Sequence, residues 1–378
     1  MKLAKFSGRA STYLLAIFGL CLSLSAQERF SDINGTVKDA TGAVMPGVKI
    51  SVQNVVSKRS YELQTGSDGT YLGLNLDPAR YDVIFSRQGF TTQKAENVDL
   101  LVGKATTINV SLQVGNTADS VTVSEAIGQI DFSSTKIATN VTADEFDRLP
   151  KGRSFQTLAV QATSVNQGTI EGGIQINGAS GAENQFNIDG VSVTSAINGQ
   201  QRQNALYEAL AEVQVKTGGL DAEYGGAMGG TISAITKSGG NQFHGDLHYY
   251  LSGNSLSAGP VKRLQLNTTT ERDGANFQDT KFKDTNNEIG GSLGGPLVKN
   301  KLYFYTLFSP RFRRESNDYV FANGPDSIKR AQTYHAWFNK LSWDVTSKLR
   351  ANFTYYWSPT RSEGRLLAYN GFCANCST

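Results

Sequence analysis

Histidine, cysteine, methionine, proline and charged residues are all scarce in this sequence. Its 378 residues include 3 His, 3 Cys, 3 Met and 8 Pro, and 18% of them are charged. That charged fraction is below the roughly 25% of an average globular domain, which argues against a charged disordered chain. The chain also holds 39 Gly. This composition argues against a compact helical enzyme and favours a turn-rich, mainly β protein.

An excess of charge of one sign is also lacking beyond the first residues. The formal charge of +3 comes from 36 Lys and Arg against 33 Asp and Glu. Lys2, Lys5 and Arg9 account for the difference, and residues 1–26 contain no acidic residue. Because the rest of the chain is neutral, nothing in its charge indicates a nucleic-acid partner.

Long apolar runs are absent as well, apart from Tyr13–Leu24 near the start. This run follows basic residues and precedes the small residues Ser25 and Ala26, an order that predicts a secretory signal peptide at residues 1–26. Cleavage is expected after Ala26, and a non-cleaved anchor is the alternative. The run is shorter than the roughly 20 residues of a membrane-spanning helix. Any membrane span is therefore expected to be a β-strand.

Residues 27–114 are predicted to form a β-sandwich, because apolar and polar residues alternate and turn sequences separate the alternating stretches. Ile33–Asp39, Pro46–Ile50, Thr65–Tyr71 and Leu76–Tyr81 resemble the carboxypeptidase regulatory-like domain. The resemblance implies a transthyretin-like sandwich without catalysis of its own.

A metallocarboxypeptidase is disfavoured. His244, His248 and His335 are the only histidines, and none belongs to a His-x-x-Glu motif that could help to hold a catalytic zinc. His244 and His248 also lie about 13 Å apart on an extended strand, too far for a shared metal. We therefore predict no enzyme, no metal site and no cofactor.

A short segment in which apolar and polar residues alternate lies near the start of residues 115–240. It can be one more strand of the sandwich, or a detachable strand that a partner captures by edge pairing. It resembles the TonB box of outer-membrane transporters, which implies TonB as a partner. This TonB-box candidate consists of Asp119, Ser120, Val121, Thr122, Val123 and Ser124.

The rest of residues 115–240 is predicted to be α+β. Thr142–Glu145 has the capping-box pattern of a helix start, and Ala205–Ala211 is predicted to be helical. Asp189 and Gly190 are predicted to form a tight turn between two strands. The glycines of residues 225–230 lack the Lys-Ser/Thr of a phosphate-binding loop, so close backbone approach or a sharp turn is the preferred interpretation.

Three motifs of this region, Phe186–Val191, Glu208–Val215 and Glu223–Lys237, resemble the plug domain of TonB-dependent receptors in their order and spacing. The residues that carry the resemblance include Asp189, Gly190, Tyr224, Gly225, Gly226, Gly229 and Gly230.

Residues 241–378 contain about five or six alternating, aromatic-rich stretches, typical of lipid-facing strands over a polar lumen. A soluble antiparallel sheet would alternate too, but the position after a signal and a plug favours the outer-membrane barrel. Ala258–Asp284 is predicted to be an external loop. Cys373 and Cys376 can be redox-active or metal-binding, and a local disulfide is preferred in an exported chain.

A barrel wide enough for a plug needs about 22 strands, so we predict a C-terminally truncated chain. Sandwich, plug and barrel start resemble the Oar-like group of TonB-dependent receptors. The resemblance implies outer-membrane uptake of an unidentified substrate, energised by TonB and its inner-membrane partners. The alternatives are a surface adhesin or carbohydrate-binding outer-membrane protein without active transport, and an exported hydrolase with an accessory sandwich.

Overall fold

A computed structural model of the chain describes residues 29–115, 120–123, 136–146, 148, 154–168, 173–203, 205–220, 224–259, 261–266, 274–277, 283–321, 324–346 and 349–364. The chain divides into two compact units. The first comprises residues 1–55 and 60–237, and the second comprises residues 56–59 and 238–378. The predicted signal peptide and the pair Cys373 and Cys376 lie outside the described residues.

Two sheets with a shared apolar core form the first part of unit 1. Their strands are β1 (Ser31–Asp39), β2 (Lys49–Asn54), β3 (Ser60–Gln64), β4 (Thr70–Leu76), β5 (Ala79–Ser86), β6 (Thr92–Leu100), β7 (Ala105–Thr107), β8 (Val110–Leu112) and β9 (Ser120–Val123). One sheet is built around β1, which pairs with β4, β7 and β8, and the other has the order β3-β2-β5-β6-β9.

The predicted alternation places one face of each strand in this core. Val48, Ile50 and Val52 are fully buried, and Tyr71 of the first sheet meets Phe85 of the second edge to face, with ring centroids 5.7 Å apart. Contacts of this kind join the two sheets through a single cluster of buried side chains. The sandwich prediction is therefore confirmed.

A mixed sheet with short helices forms the second part of unit 1. Its strands are β10 (Ile137–Thr142), β11 (Val165–Gln167), β12 (Ile174–Ile176), β13 (Gln185–Ile188), β14 (Val191–Ser192), β15 (Leu210–Gly218) and β16 (Thr231–Thr236). Five of these pair in the order β10-β15-β16-β13-β14, with only β13 and β16 parallel in that sheet. The helices are Ala143–Phe146 and Gln156–Ala159, with 3-10 turns at Gly181–Glu183 and Tyr207–Ala209.

Two local predictions in this region have different outcomes. The turn at Asp189 and Gly190 is confirmed: both residues have positive φ, 49° and 79°, as the favoured two-residue hairpin turns require. The helix predicted over Ala205–Ala211 is wrong beyond a single 3-10 turn. Leu210 already begins β15, which has ladder partners on both sides in β10 and β16.

One antiparallel sheet dominates unit 2. Its strands are β17 (His244–Gly253), β20 (Lys283–Val298), β21 (Leu302–Phe308), β22 (Arg311–Phe321), β23 (Gly324–Tyr334), β24 (Trp337–Asp344), β25 (Arg350–Trp357) and β26 (Thr360–Gly364). Both β21 and β22 pair with β20, while β24 pairs with β21 and β23 pairs with β22. The strands β21 and β22, β23 and β24, and β25 and β26 therefore each form one pass across the sheet. Together with β17 and β20 they make five passes of an up-and-down sheet, in line with the five or six expected strands.

The stretch predicted to be one external loop contains a hairpin of its own. Strands β18 (Arg263–Leu266) and β19 (Gly274–Phe277) pair antiparallel over four residues. The sequence interpretation missed this hairpin because it rested on the polar composition of the whole stretch. No helix within the described ranges is both long and apolar enough to cross a membrane.

The two faces of the unit 2 sheet differ in exposure. Trp337, Trp343 and Trp357 are 45%, 50% and 45% exposed, and they share their face with exposed leucine, phenylalanine and tyrosine side chains. The opposite face carries buried residues of mixed polarity, for example Tyr305 and Lys340. An apolar exposed face over a partly polar inner one is the pattern expected of outer-membrane strands.

Candidate functional site

The TonB-box candidate lies at the edge of the sandwich. Strand β9, which holds four of its residues, runs parallel to β6 with Val121 opposite Gln93. It is the last strand in the order β3-β2-β5-β6-β9. Asp119 and Ser124 lie outside the described residues. The structure thus makes Ser120–Val123 one more strand of the sandwich, at its edge, as the first interpretation predicts, and capture by a partner stays a prediction.

A buried polar junction connects the sandwich to the mixed sheet of unit 1. The backbone N–H of Val102, just after β6, donates to both carboxylate oxygens of Glu212 at 3.2 and 3.1 Å. The carbonyl of Val102 accepts from the side-chain amides of Asn140, at 3.1 Å, and Gln214. Asn140 donates to Glu212 as well. Side chains of β10 and β15 therefore hold both backbone polar groups of Val102.

Burial controls the ionisation of Glu212, which is only 2% exposed. The loss of water around the carboxyl raises the pKa of Glu212 to about 7, although the hydrogen bonds from Asn140 and Val102 lower it. A buried carboxyl of this kind is neutral in mildly acidic solution and ionised in mildly alkaline solution. The junction therefore contains a group that titrates near neutral pH.

A polar cavity of about 430 Å³ opens beside this junction. Arg80 of β5 makes ion pairs there with Asp99, at 3.1 Å, and with Asp144 of the helix Ala143–Phe146, at 2.9 Å. Lys104 and Arg148 also line the cavity. The side chains of Arg80 and Asp144 are 40% and 58% exposed. We therefore expect these ion pairs to orient the sandwich and the mixed sheet more than they stabilise them.

The sequence analysis did not indicate that the polar residues of β15 are buried. Glu212, Gln214 and Lys216 follow each other at every second position, and all three are buried. Because buried polar groups need hydrogen-bond partners, such a row on a strand signals a polar interface rather than an apolar core. Its partner Val102 lies 110 residues before Glu212, too far for any local pattern to reveal.

The plug-like motifs meet around β15 and β16. Asp189 accepts a hydrogen bond from the backbone N–H of Thr236 at 2.9 Å, and the Thr236 hydroxyl also donates to it. Lys216 donates to the hydroxyl of Tyr224 at 3.2 Å, and its ammonium lies 4.6 Å from the centre of that ring. Asp189 and Tyr224 thus fasten the two flanking segments to the ends of the same pair of strands.

The glycines of residues 225–230 provide close approach and a turn. A Cβ on Gly229 would lie 2.4 Å from the side-chain oxygen of Asn184, and one on Gly230 would lie 2.5 Å from the carbonyl oxygen of Lys216. Gly226 has φ +87°, a conformation that favours glycine. The preferred interpretation of this segment is confirmed.

The inner face of unit 2 carries a chain of polar contacts that the sequence did not indicate. His248 lies 3.0 Å from Asp246 through Nδ1 and 3.1 Å from the Ser309 hydroxyl through Nε2. The order Asp, His and Ser is that of hydrolases, but Ser309 donates its single hydrogen to Glu288, at 2.8 Å. A hydroxyl that directs its hydrogen to Glu288 does not donate it to the histidine, as the nucleophile of a hydrolase triad does.

Three family models match the chain in succession. They are the Carboxypeptidase regulatory-like domain at residues 32–113, the TonB-dependent Receptor Plug Domain at residues 131–231 and the Outer membrane beta barrel domain at residues 235–333. In its domain order the chain is similar to TonB-dependent receptors, and the plug and barrel models indicate the outer membrane as its location.

A curated relative is a TonB-dependent transporter. The TonB-dependent transporter Oar of Myxococcus xanthus is 29% identical to this chain over 318 residues, which cover 80% of this chain and 29% of Oar. The chain therefore spans less than a third of the length of that relative. These matches confirm the Oar-like resemblance, the mainly β fold class, and the plug and partial barrel.

Two solved structures are similar to part of this chain. The siderophore receptor PirA from Acinetobacter baumannii is 19% identical, with a TM-score of 0.43, over 60% of this chain and 32% of that one. The outer membrane transporter YddB from Escherichia coli is 20% identical, also with a TM-score of 0.43, over 60% of this chain and 33% of that one. The absence of an enzymatic activity and the roles of the site residues in this chain stay predictions.

Proposed function

We propose that the chain belongs to an outer-membrane TonB-dependent receptor that takes up an external substrate. The signal at residues 1–26 directs export, and the substrate binds outside, on loops and plug. TonB pairs with Asp119–Ser124 in the periplasm and remodels the plug with energy that its inner-membrane partners draw from the proton gradient. The chain itself transforms nothing chemically.

One observation carries this proposal. The box candidate is an extended strand, Ser120–Val123, at a sheet edge and directly before the residues that match the plug model. Edge pairing by a partner strand requires an extended segment at an accessible edge, with backbone hydrogen bonds for affinity. The exposed aromatic face of unit 2 supports the outer-membrane location independently.

A capture experiment tests the proposal. The full chain in detergent is passed over immobilised periplasmic domain of TonB, and Val121→Pro is compared with the unaltered chain. We expect loss of capture, because proline removes a backbone donor from the ladder. The matched control is Val261→Pro, at an exposed position outside the strands.

Undiminished capture of Val121→Pro would reject the box assignment. If the unaltered chain is not captured at all, the alternative of an adhesin that acts without TonB becomes the better description of this protein.

A further inference from the structure

The strand that TonB is proposed to bind already has a partner within the chain. Strand β9 pairs with the first four residues of β6, Thr92–Ala95, in parallel. No strand in the described part of the chain lies on its other side, since β9 ends the sheet order. In a parallel ladder a strand directs alternate backbone groups to its two sides. Pairing with β6 therefore leaves half of these groups for a further strand.

The edge of β6 that receives β9 is short. Asn97 has φ 55°, and the ladder between β5 and β6 shifts register between Tyr81 and Val83. A bulge of this kind bends a strand and interrupts its ladder. The straight part of the edge thus ends where the pairing with β9 ends.

A short tether keeps β9 next to this edge. The N–H of Thr91 donates to the carbonyl of Gln113 at 2.9 Å, and Phe90 forms a bridge with Val114. Only residues 116–119 separate this anchored segment from β9. A linker of this length gives the strand a high effective concentration at the edge, so a ladder of four residues can form.

The same edge is protected against foreign strands. Lys94 lies in the middle of the paired stretch, with its ammonium 3.0 Å from Asp82 and 2.9 Å from Glu96. Charged residues, lysine above all, discourage edge strands from pairing with other chains. The tethered β9 is thus favoured over any strand that arrives from solution.

We propose that the β6 edge, Thr92–Ala95, is a docking site that presents the TonB box. The sandwich holds the box in extended form, and the periplasmic domain of TonB adds to its free edge as the next strand of the same sheet. This inference rests on the proposed function. It assigns a role to the sandwich: the box is ordered before TonB arrives, so TonB does not have to order it.

Hydrogen exchange of the full chain in detergent, with and without the periplasmic domain of TonB, tests the docking itself. We expect the backbone amides of Val121–Val123 that point towards β6 to be protected before TonB is added, those on the other side to gain protection with TonB, and the β6 amides to keep their protection. A box without any protected amide in the free chain would overturn the inference, even if TonB binds. If they are protected but TonB does not bind, the proposed function fails and the docking site stands.

A disulfide between the register partners tests the presentation. Gln93→Cys and Val121→Cys are combined with Cys21→Ser, Cys373→Ser and Cys376→Ser, and adjacent strands bring the two positions within disulfide reach. We expect the bridge to form and the oxidised chain to bind TonB within about threefold of the reduced chain, because the ordered box is the binding form. Capture that disappears on oxidation and returns on reduction would show competition instead, and would overturn the inference.

Two further variants keep this test decisive. The pair Thr92→Cys and Ser120→Cys repeats it without altering a valine of the box. The pair Thr92→Cys and Val123→Cys is three positions out of register, about 10 Å apart, beyond the roughly 7 Å limit for a disulfide. Equal cross-linking of this pair would show that β9 does not hold its register on β6.

Discussion

Among single residues, Glu212 couples the two parts of unit 1 to the pH. Burial raises the pKa of its carboxyl from 4.5 to about 7, so the folded chain binds a proton that the unfolded chain has lost. The contribution of Glu212 to the stability is then largest below about pH 4.5, falls as the pH rises towards 7, and levels above it. The shift corresponds to about 3 kcal/mol between the two limits.

Replacement of Glu212 by Gln should remove this dependence, since an amide does not titrate in that range. The protection of the β15 amides, measured by hydrogen exchange from pH 4 to 8 and corrected for intrinsic rates, reports it. Glu212→Ala should lower the protection at every pH by about 1–3 kcal/mol, because it leaves the Val102 N–H without its acceptor. A slope in Glu212→Gln equal to that of the unaltered chain would show that another group titrates.

At the scale of an element, the glycine-rich segment of residues 224–230 needs glycine for two separate reasons. Gly230 approaches a neighbouring backbone closely, and Gly226 has a positive φ. Gly230→Ala forces a Cβ against the backbone carbonyl of Lys216, which cannot move without disturbing β15, and should cost about 1–3 kcal/mol. Gly226→Ala meets no atom within 4 Å and pays only for its positive φ, about 1 kcal/mol. Hydrogen exchange of β16 measures both, and an equal loss in the two variants would contradict the assignment.

Local signals predicted the elements whose residues are neighbours in sequence. Alternation identified the buried Val48, Ile50 and Val52, and the pair Asp189 and Gly190 marked its hairpin turn. The predictions failed where residues distant in sequence determine the local structure. Pairing with β16 makes Leu210 a strand residue, and the contact with Val102 buries Glu212. The docking of β9 on β6 is of the same kind, because a four-residue alternation does not specify its neighbour.

At the scale of the whole molecule, the three tryptophans are all on one surface. Trp337, Trp343 and Trp357 are the only tryptophans of the chain, and each is about half exposed on the apolar face of unit 2. If this face meets lipid in the outer membrane, it must meet the apolar chains of a detergent in solution. Tryptophan fluorescence of the full chain therefore reports on this face alone.

We expect a detergent with brominated alkyl chains to quench this fluorescence strongly, and acrylamide in the water phase to quench it weakly. The reverse pattern would mean that the face is in contact with water, as in a soluble antiparallel sheet. A variant with Trp337→Phe and Trp343→Phe retains only Trp357, whose quenching should equal that of the unaltered chain within about twofold, because all three rings share the same apolar surroundings. Since the outward face defines the barrel, loss of brominated-detergent quenching in every variant would remove the physical basis for placing this chain in the outer membrane.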